Sequence, residues 1–124
     1  RISDVLKFVQ SDLGQRMKTA FDKKQLYREQ PFVIAQKMNR LDEEWKGEET
    51  VLVQGIIDAF FIEQDEIILV DYKTDRVYRG GEQQLIDLYR TQLEDYKAAL
   101  ERMLRKKVKE TYIYSFTLRK MIRL

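Results

Sequence analysis

Two apolar runs near the middle of the chain carry its most regular pattern of hydrophobic and polar positions. Val51 to Ile62 and Glu66 to Thr74 are rich in β-branched and aromatic residues, and the polar segment Glu63-Gln64-Asp65 separates them. Such residues favour strands, and a linker of this length is typical of a hairpin. The pattern predicts two antiparallel neighbours. A register centred on Gln64 places Asp58 opposite Val70, and a shift of one residue would place it opposite Asp71.

Helical periodicity flanks this hairpin on both sides. Ser3 or Asp4 is expected to cap a short first helix, and Ser11 to cap a second. After the break at Arg79-Gly80-Gly81, a long amphipathic helix is predicted from Glu82. Its expected apolar face consists of Leu85, Leu88, Tyr89, Leu93, Tyr96, Leu100 and Met103.

Two further strands are predicted outside the hairpin. Phe32 to Met38 follows Pro31, which has no amide hydrogen and therefore belongs at a strand start or a sheet edge. Val108 to Leu118 alternates aromatic and polar residues and is expected to be the last strand. Helices, three or four strands, a long helix and a strand together predict an α/β domain with a mixed central β-sheet flanked by helices.

Composition narrows the class of protein. With 124 residues and 44% apolar content, residues 1–124 are expected to form a single domain, and because the chain begins at Arg1 it is expected to be a fragment of a longer polypeptide. The chain has no cysteine, which excludes a ligated iron–sulfur cluster within it, and no histidine. A net charge of +2 does not by itself require nucleic acid. No apolar run reaches the length of a membrane span, so no membrane partner is expected.

Three charged residues stand inside the two apolar runs, namely Asp58, Asp71 and Lys73. Asp71 and Lys73 are two residues apart and share a face of their strand with Ile67 and Leu69. Paired carboxylates suit a hard divalent cation, which polarises a phosphoryl oxygen and activates water. A neighbouring lysine can offset charge on the transition state, and the main-chain carbonyl of Tyr72 is a further candidate ligand. These residues predict a metal site for phosphodiester hydrolysis.

The ordinary alternative is a strand-end ion pair between Asp71 and Lys73, with Asp58 solvated at an edge. An unpaired carboxylate buried in an apolar strand costs several kcal/mol. That cost argues against this alternative.

Three motifs in order resemble the nuclease module of the RecB/AddA class, within the PD-(D/E)xK nuclease superfamily. They are GIIDAFF, IILVDYKTD and QLEDYKAAL, and the resemblance extends from Arg28 to about Phe116. It implies a restriction-endonuclease-like core, Mg²⁺ (with Mn²⁺ possible) held by Asp58 and Asp71, and Lys73 as the catalytic lysine. It also implies DNA as substrate, a fused helicase motor, a bacterial, cytoplasmic, nucleoid-associated setting and a second helicase–nuclease subunit.

The same resemblance implies that Gln92 and Tyr96 contact DNA or support the metal site. They are four residues apart on the predicted helix, although Tyr96 on the apolar face equally suits a core aromatic. Glu29, in the segment REQPF, is a possible supporting carboxylate, for which an exposed strand-edge charge is the ordinary alternative. The basic segment Arg105 to Lys109 can approach phosphates, but such a segment at a helix end more often offsets the helix dipole.

The chain departs from the family pattern in one respect, because members usually carry a histidine on a helix upstream of these motifs. Without that histidine the fragment is expected to bind metal weakly and need not be active alone. A non-catalytic DNA-binding or subunit-docking module that keeps the nuclease fold is the competing hypothesis. A purely structural α/β domain is a third.

Overall fold

The computed structural model describes residues 2–124, except for the side chains of Ile2 and Asp4. In chain order the elements are α1 (Ile2–Gln10), α2 (Asp12–Asp22), β1 (Leu26–Lys37), α3 (Met38–Leu41), β2 (Thr50–Glu63), β3 (Glu66–Lys73), α4 (Glu82–Leu104), β4 (Val108–Ser115) and β5 (Lys120–Arg123). The five strands form one sheet in the order β1-β2-β3-β4-β5. β3 and β4 are parallel and the other pairs are antiparallel. The prediction of a mixed α/β sheet is confirmed.

The hairpin between β2 and β3 is tighter than predicted. Gln64 and Asp65 have φ angles of 52° and 66°, as a two-residue type I′ turn requires. The ladder runs from Glu63↔Glu66 to Ala59↔Val70, so the register centred on Gln64 is wrong by one residue. Continuing the observed register places Asp58 opposite Asp71, the alternative arrangement named from the sequence.

β3 is buried on both sides, because helices cover both faces of the sheet. Ile67 and Leu69 pack in one core with Leu100 of α4. Ile68 and Val70 pack in another with residues of α2, among them Leu13. Parallel strands need a crossover, and α4 provides it between β3 and β4, so the end of β3 lies beside α4.

The two strands predicted outside the hairpin have different bounds in the structure. β1 begins at Leu26 and includes Pro31, which is tolerated because β1 is an edge strand. The predicted strand Val108 to Leu118 ends instead at Ser115, and the chain turns back to form β5 against β4. Arg119 in this turn has a φ of 55°, a conformation that sequence periodicity does not reveal.

The helix predictions hold better in the interior than at the ends and edges. The Ser11 hydroxyl accepts a hydrogen bond from Gly14 N at 3.1 Å and caps α2 as predicted. α1 already begins at Ile2, so Ser3 and Asp4 lie inside it. On α4, Leu88 and Met103 are 63% and 47% exposed, so their assignment to the buried face is wrong. Among the described residues, no helix is long and apolar enough to cross a membrane.

Candidate active site

Asp71 and Lys73 lie side by side at the end of β3, on the face that α4 covers. Lys73 Nζ is 2.8 Å from Asp71 Oδ2, and the side chains of Lys73 and Asp71 are 14% and 3% exposed, respectively. The same ammonium donates a hydrogen bond of 2.8 Å to Gln92 Oε1 on α4. The structure therefore brings together the carboxylate and lysine of the D-x-K motif and the glutamine of the Q-x-x-x-Y motif.

Asp58 reaches the same point from β2. Its Oδ2 accepts a hydrogen bond of 2.9 Å from the main-chain N–H of Tyr72, just past the last ladder pair, Ala59↔Val70. The side chain thus takes the place of a backbone acceptor and fixes the carboxylate against β3. The aromatic ring of Tyr72 lies on the opposite face of the sheet, edge-on to Phe8 at 5.8 Å.

The strand β2 is irregular around Asp58, and this irregularity allows the Asp58 side chain to face α4. Arg28↔Ala59 and Gln30↔Ile57 are paired, so Glu29 and Asp58 lie opposite each other without a ladder pair. Ile57 packs on the α4 side and Ala59 on the α2 side, although residues two apart in a regular strand share a face. Such local breaks in a sheet are common next to active sites.

Burial perturbs Asp71 most strongly. The pKa of Asp71 is raised to about 6, chiefly by burial; the Lys73 ammonium partly offsets this rise, and contact with Asp58 adds to it. Asp71 Oδ2 is buried and, despite its ion pair with Lys73, makes no hydrogen bond of regular geometry. Two carboxylates in contact inside a protein form a site that favours a proton or a cation between them.

Tyr96 and Gln92 form one wall of the site. The Tyr96 ring packs edge-on to Phe32 at a centroid distance of 5.1 Å, so the interpretation of this residue as a core aromatic holds. Burial raises the pKa of its hydroxyl, and the charges of Asp71 and Asp58 raise it further, so the phenol is coupled electrostatically to the two carboxylates. The two sequence-based interpretations of Tyr96 are therefore compatible.

Glu29 differs from the other candidates in its exposure, although its backbone lies opposite that of Asp58. It is exposed and has a φ of 52°, in keeping with the ordinary interpretation as a strand-edge charge. Among the side chains that the structure describes, no three acidic groups converge closely enough to hold a metal ion. Asp58 and Asp71 are thus the carboxylates that the structure brings together.

Sequence reasoning missed two residues beside Lys73, namely Asp75 and Tyr89. Tyr89 was assigned only to the apolar face of α4, yet Lys73 Nζ lies 3.8 Å from the centroid of its ring. Its hydroxyl donates to both carboxylate oxygens of Asp75, at 2.9 and 2.8 Å. The one signal in the sequence was the position of Tyr89, three residues before Gln92 and thus on the same face of α4.

Two of the four basic residues in the segment Arg105 to Lys109 form ion pairs with acidic side chains of the sheet and its hairpin turn. Lys106 pairs with Asp65 in the hairpin turn, and Lys109 lies 3.8 Å from both Glu63 and Glu110. These ion pairs join the segment to the sheet. They favour a structural role for this segment over a dedicated phosphate contact.

Comparison with known proteins gives consistent relatives, although no family model matches the chain. It is 46% identical over 127 residues to AddA, an ATP-dependent helicase/nuclease subunit of Clostridium perfringens, covering 97% of this chain and 10% of that protein. The proteins of the same name from Lachnoclostridium phytofermentans and Syntrophomonas wolfei are 40% and 38% identical, over 95% and 98% of this chain and 11% and 10% of their own lengths.

The chain thus spans about a tenth of the length of the curated relatives it matches. The match lies in their C-terminal region, and the resemblance inferred from the three motifs is confirmed. The chain belongs, as one segment, to the AddA family of ATP-dependent helicase/nuclease subunits.

Proposed function

We propose that this chain is the Mg²⁺-dependent DNA nuclease domain of a bacterial helicase–nuclease that serves recombinational repair. It would act as an exonuclease, and its fold would have a restriction-endonuclease-like core. One observation carries the proposal: Asp58, Asp71 and Lys73, from adjacent strands, meet at one point on the α4 face. The name shared by the relatives, which describes an ATP-dependent helicase/nuclease, supports the same chemistry.

The residues present fit a hard divalent cation. Asp71 Oδ2 is a buried oxygen without a regular hydrogen bond, and the contact between Asp71 and Asp58 is unfavourable while both are ionised. Asp58 and Asp71, with the main-chain carbonyl of Tyr72, would hold Mg²⁺ or Mn²⁺, which prefer oxygen ligands. When bound, the ion supplies Lewis acidity and a water of lowered pKa.

The chain's own residues then have separate roles. The Lys73 ammonium, held by Asp71 and Gln92, offsets the negative charge that develops on the phosphoryl group in the transition state. Gln92 fixes that ammonium from α4, and Tyr96 closes the side of the site next to Phe32. Asp58 accepts a hydrogen bond from the main-chain N–H of Tyr72, so the position of the Asp58 carboxylate depends on the geometry of β3. Hydrolysis is direct and forms no covalent intermediate with the protein.

The whole protein's partners are part of the same proposal. DNA is the substrate, a fused helicase motor supplies it, and a second helicase–nuclease subunit completes the assembly. Such a protein works at the bacterial nucleoid.

The decisive test replaces Asp71 or Lys73 with alanine in the full-length parent protein. Each variant should lose DNA cleavage by at least about a thousandfold, while folding, ATP hydrolysis and strand separation remain. Asp22→Ala and Lys18→Ala serve as controls, because that pair is exposed on α2. Cleavage that persists in both site variants would overturn the proposal.

A non-catalytic DNA-binding or docking module is the second candidate, favoured by the absence of a third converging acidic side chain among the described residues. Titration calorimetry with Mg²⁺ or Mn²⁺ separates the two candidates. The nuclease proposal expects binding to the wild-type full-length protein that Asp58→Asn weakens at least tenfold. No binding to the full-length protein would favour the docking module.

A further inference from the structure

We propose that Tyr89, held by Asp75, is a positioning residue that orients the Lys73 ammonium. This inference rests on the proposed nuclease function and adds a part of the site that the motifs do not contain. The Tyr89 ring lies 3.8 Å from Lys73 Nζ, and its hydroxyl donates to both oxygens of Asp75. Lys73, Tyr89 and Asp75 form a connected unit, here called the lysine cradle.

The cradle is anchored at both ends. The Thr117 hydroxyl donates a 2.7 Å hydrogen bond to the main-chain oxygen of Asp75, and Phe116 N donates one of 3.1 Å to Lys73 O. The segment after β3 is thereby tied to the end of β4. Tyr89 comes from α4, where its partly buried ring packs against the cluster that contains Leu85. Asp75 is therefore held in place by the end of β4, and Tyr89 is held in place by α4.

The Tyr89 ring restricts the orientation of the Lys73 side chain more than the acceptor oxygens of Asp71 and Gln92 do alone. Lysine has a flexible stem with four rotatable bonds, so acceptors at Asp71 and Gln92 leave room for alternative rotamers. A cation near an aromatic face is attracted by the ring quadrupole, more strongly where water is excluded. The Lys73 side chain is only 14% exposed. Donation of the phenol hydroxyl to a carboxylate further increases the electron density of the ring, which strengthens this attraction.

Tyr89 acts through Lys73 rather than on the substrate. Its hydroxyl is already engaged by Asp75 at 2.9 and 2.8 Å, so it does not serve as a proton donor to a leaving group in this arrangement. Loss of the ring should therefore lower the rate of the chemical step and leave DNA affinity nearly unchanged. A small misplacement of a reacting group can cost up to about a hundredfold in rate.

The first measurement does not depend on cleavage or on metal. In the wild-type chain, NMR should show the ε-methylene protons of Lys73 shifted upfield by the ring current of Tyr89, with the signals assigned by their loss in Lys73→Arg. Tyr89→Phe should keep this shift and Tyr89→Leu should abolish it. Wild-type signals at the ordinary lysine position would overturn the inference, whether or not any variant folds.

The second measurement uses steady-state DNA cleavage by the full-length protein. Tyr89→Leu should lower kcat about tenfold with KM within about twofold, and Tyr89→Phe should stay within about threefold of wild type. Tyr78→Leu is the matched control, because Tyr78 is 90% exposed. The double variant Lys73→Ala/Tyr89→Leu should cleave no more slowly than Lys73→Ala.

The outcomes separate this inference from the function on which it rests. Wild-type kcat in Tyr89→Leu, together with an inactive Lys73→Ala, would overturn the cradle and leave the nuclease proposal intact. Cleavage by both Lys73→Ala and Asp71→Ala would overturn the nuclease proposal, and the NMR shift would still decide whether the ring orients the ammonium. A tenfold loss in Tyr89→Phe equal to that in Tyr89→Leu would contradict a role for the ring.

Discussion

At the scale of single residues, the molecule buries a carboxylate at the end of an apolar strand. Asp71 is 2% exposed and lies in contact with Asp58, so its charged form is stabilised chiefly by Lys73. An apolar residue at this point would extend the run Ile67 to Val70, which is fully buried. The burial of Asp71 is therefore unfavourable for its charged form, in keeping with the metal-binding role proposed for it.

The raised pKa of Asp71 gives a prediction for stability against pH in metal-free buffer. Its pKa is about 6 in the folded chain against an ordinary value of 3.8, so the folded state binds this proton more tightly. The resulting stabilisation is complete below pH 3.8 and is lost as pH rises through 6. Asp71→Asn cannot ionise and should exceed wild type by about 2–3 kcal/mol above pH 6.

Chemical denaturation of both proteins between pH 4 and pH 8 measures this difference. The difference in the free energy of unfolding should shrink as pH falls from 8 towards 4. A constant difference across the whole range would show that Asp71 does not take up a proton in the folded state. Because both proteins share all other titrating groups, their common pH dependence cancels.

At the scale of secondary-structure elements, one arginine ties α2 to the sheet. Arg16 makes two hydrogen bonds to Glu63 on β2, of 3.0 and 2.7 Å, and two to Glu110 on β4, of 2.9 and 3.0 Å. The guanidinium holds the pKa of Glu110 down, at about 2. Since the Glu110 side chain is only 9% exposed, removing Arg16 leaves a poorly solvated charge.

Arg16→Ala should therefore destabilise the chain by about 1–3 kcal/mol at neutral pH. Lys18→Ala on the same helix is the control, because the ion pair of Lys18 with Asp22 is exposed on both sides and should contribute at most about 0.5 kcal/mol. Urea denaturation measures both. Equal losses in the two variants would mean that α2 is held by its apolar face alone.

The face of α4 offers a second test at this scale. Leu100 is 0% exposed and Leu88 is 63% exposed, although periodicity assigns both to one stripe. Leu100→Ala should cost about 2–5 kcal/mol, whereas Leu88→Ala should remain within about 0.5 kcal/mol. A comparable loss of unfolding free energy in both variants would mean that Leu88 and Leu100 are both buried on one face of α4, as the sequence periodicity predicts.

At the scale of the whole molecule, two helical layers around the sheet place the site where three elements meet. β2 supplies Asp58, β3 supplies Asp71 and Lys73, and α4 supplies Gln92 and Tyr89. These elements are held by separate cores on the two faces of the sheet. A ligand that binds at this junction requires all three elements to be in place and should therefore stabilise the folded chain relative to the unfolded one.

Mg²⁺ should raise the melting temperature of the wild-type chain at pH 7.5. At ten times its Kd the ion adds about 1.4 kcal/mol of stability, which corresponds to a few degrees for a domain of this size. The Asp58→Asn/Asp71→Asn double variant should show no such rise. Differential scanning calorimetry with and without Mg²⁺ measures the change in each protein, and an equal rise in both would place the bound ion elsewhere.

Local patterns predicted much of this arrangement. The hairpin of β2 and β3, the helix from Glu82 and the shared face of Asp71 and Lys73 follow from short-range rules, since strand alternation and turn length act over a few residues. The place of Asp58 opposite Asp71 was only the alternative register, because the actual turn is one residue shorter than predicted. β5 was missed because an edge strand of 4 residues carries a weak pattern and is defined by its partner. The start of β1 was missed because Pro31 was expected to begin the strand, whereas it lies inside it.

What the sequence by itself determined is the apolar skeleton and the presence of charges that this skeleton would not otherwise hold. The tertiary structure alone decided which polar groups meet. Asp95 is buried on α4, in the same helix whose Leu88 is exposed, because Gln36 and Arg40 reach it at 2.7 and 2.9 Å. Tyr89 likewise gains its place beside Lys73 only when α4 crosses the end of β3. Such partners lie far apart in the chain, and no local periodicity encodes their distance.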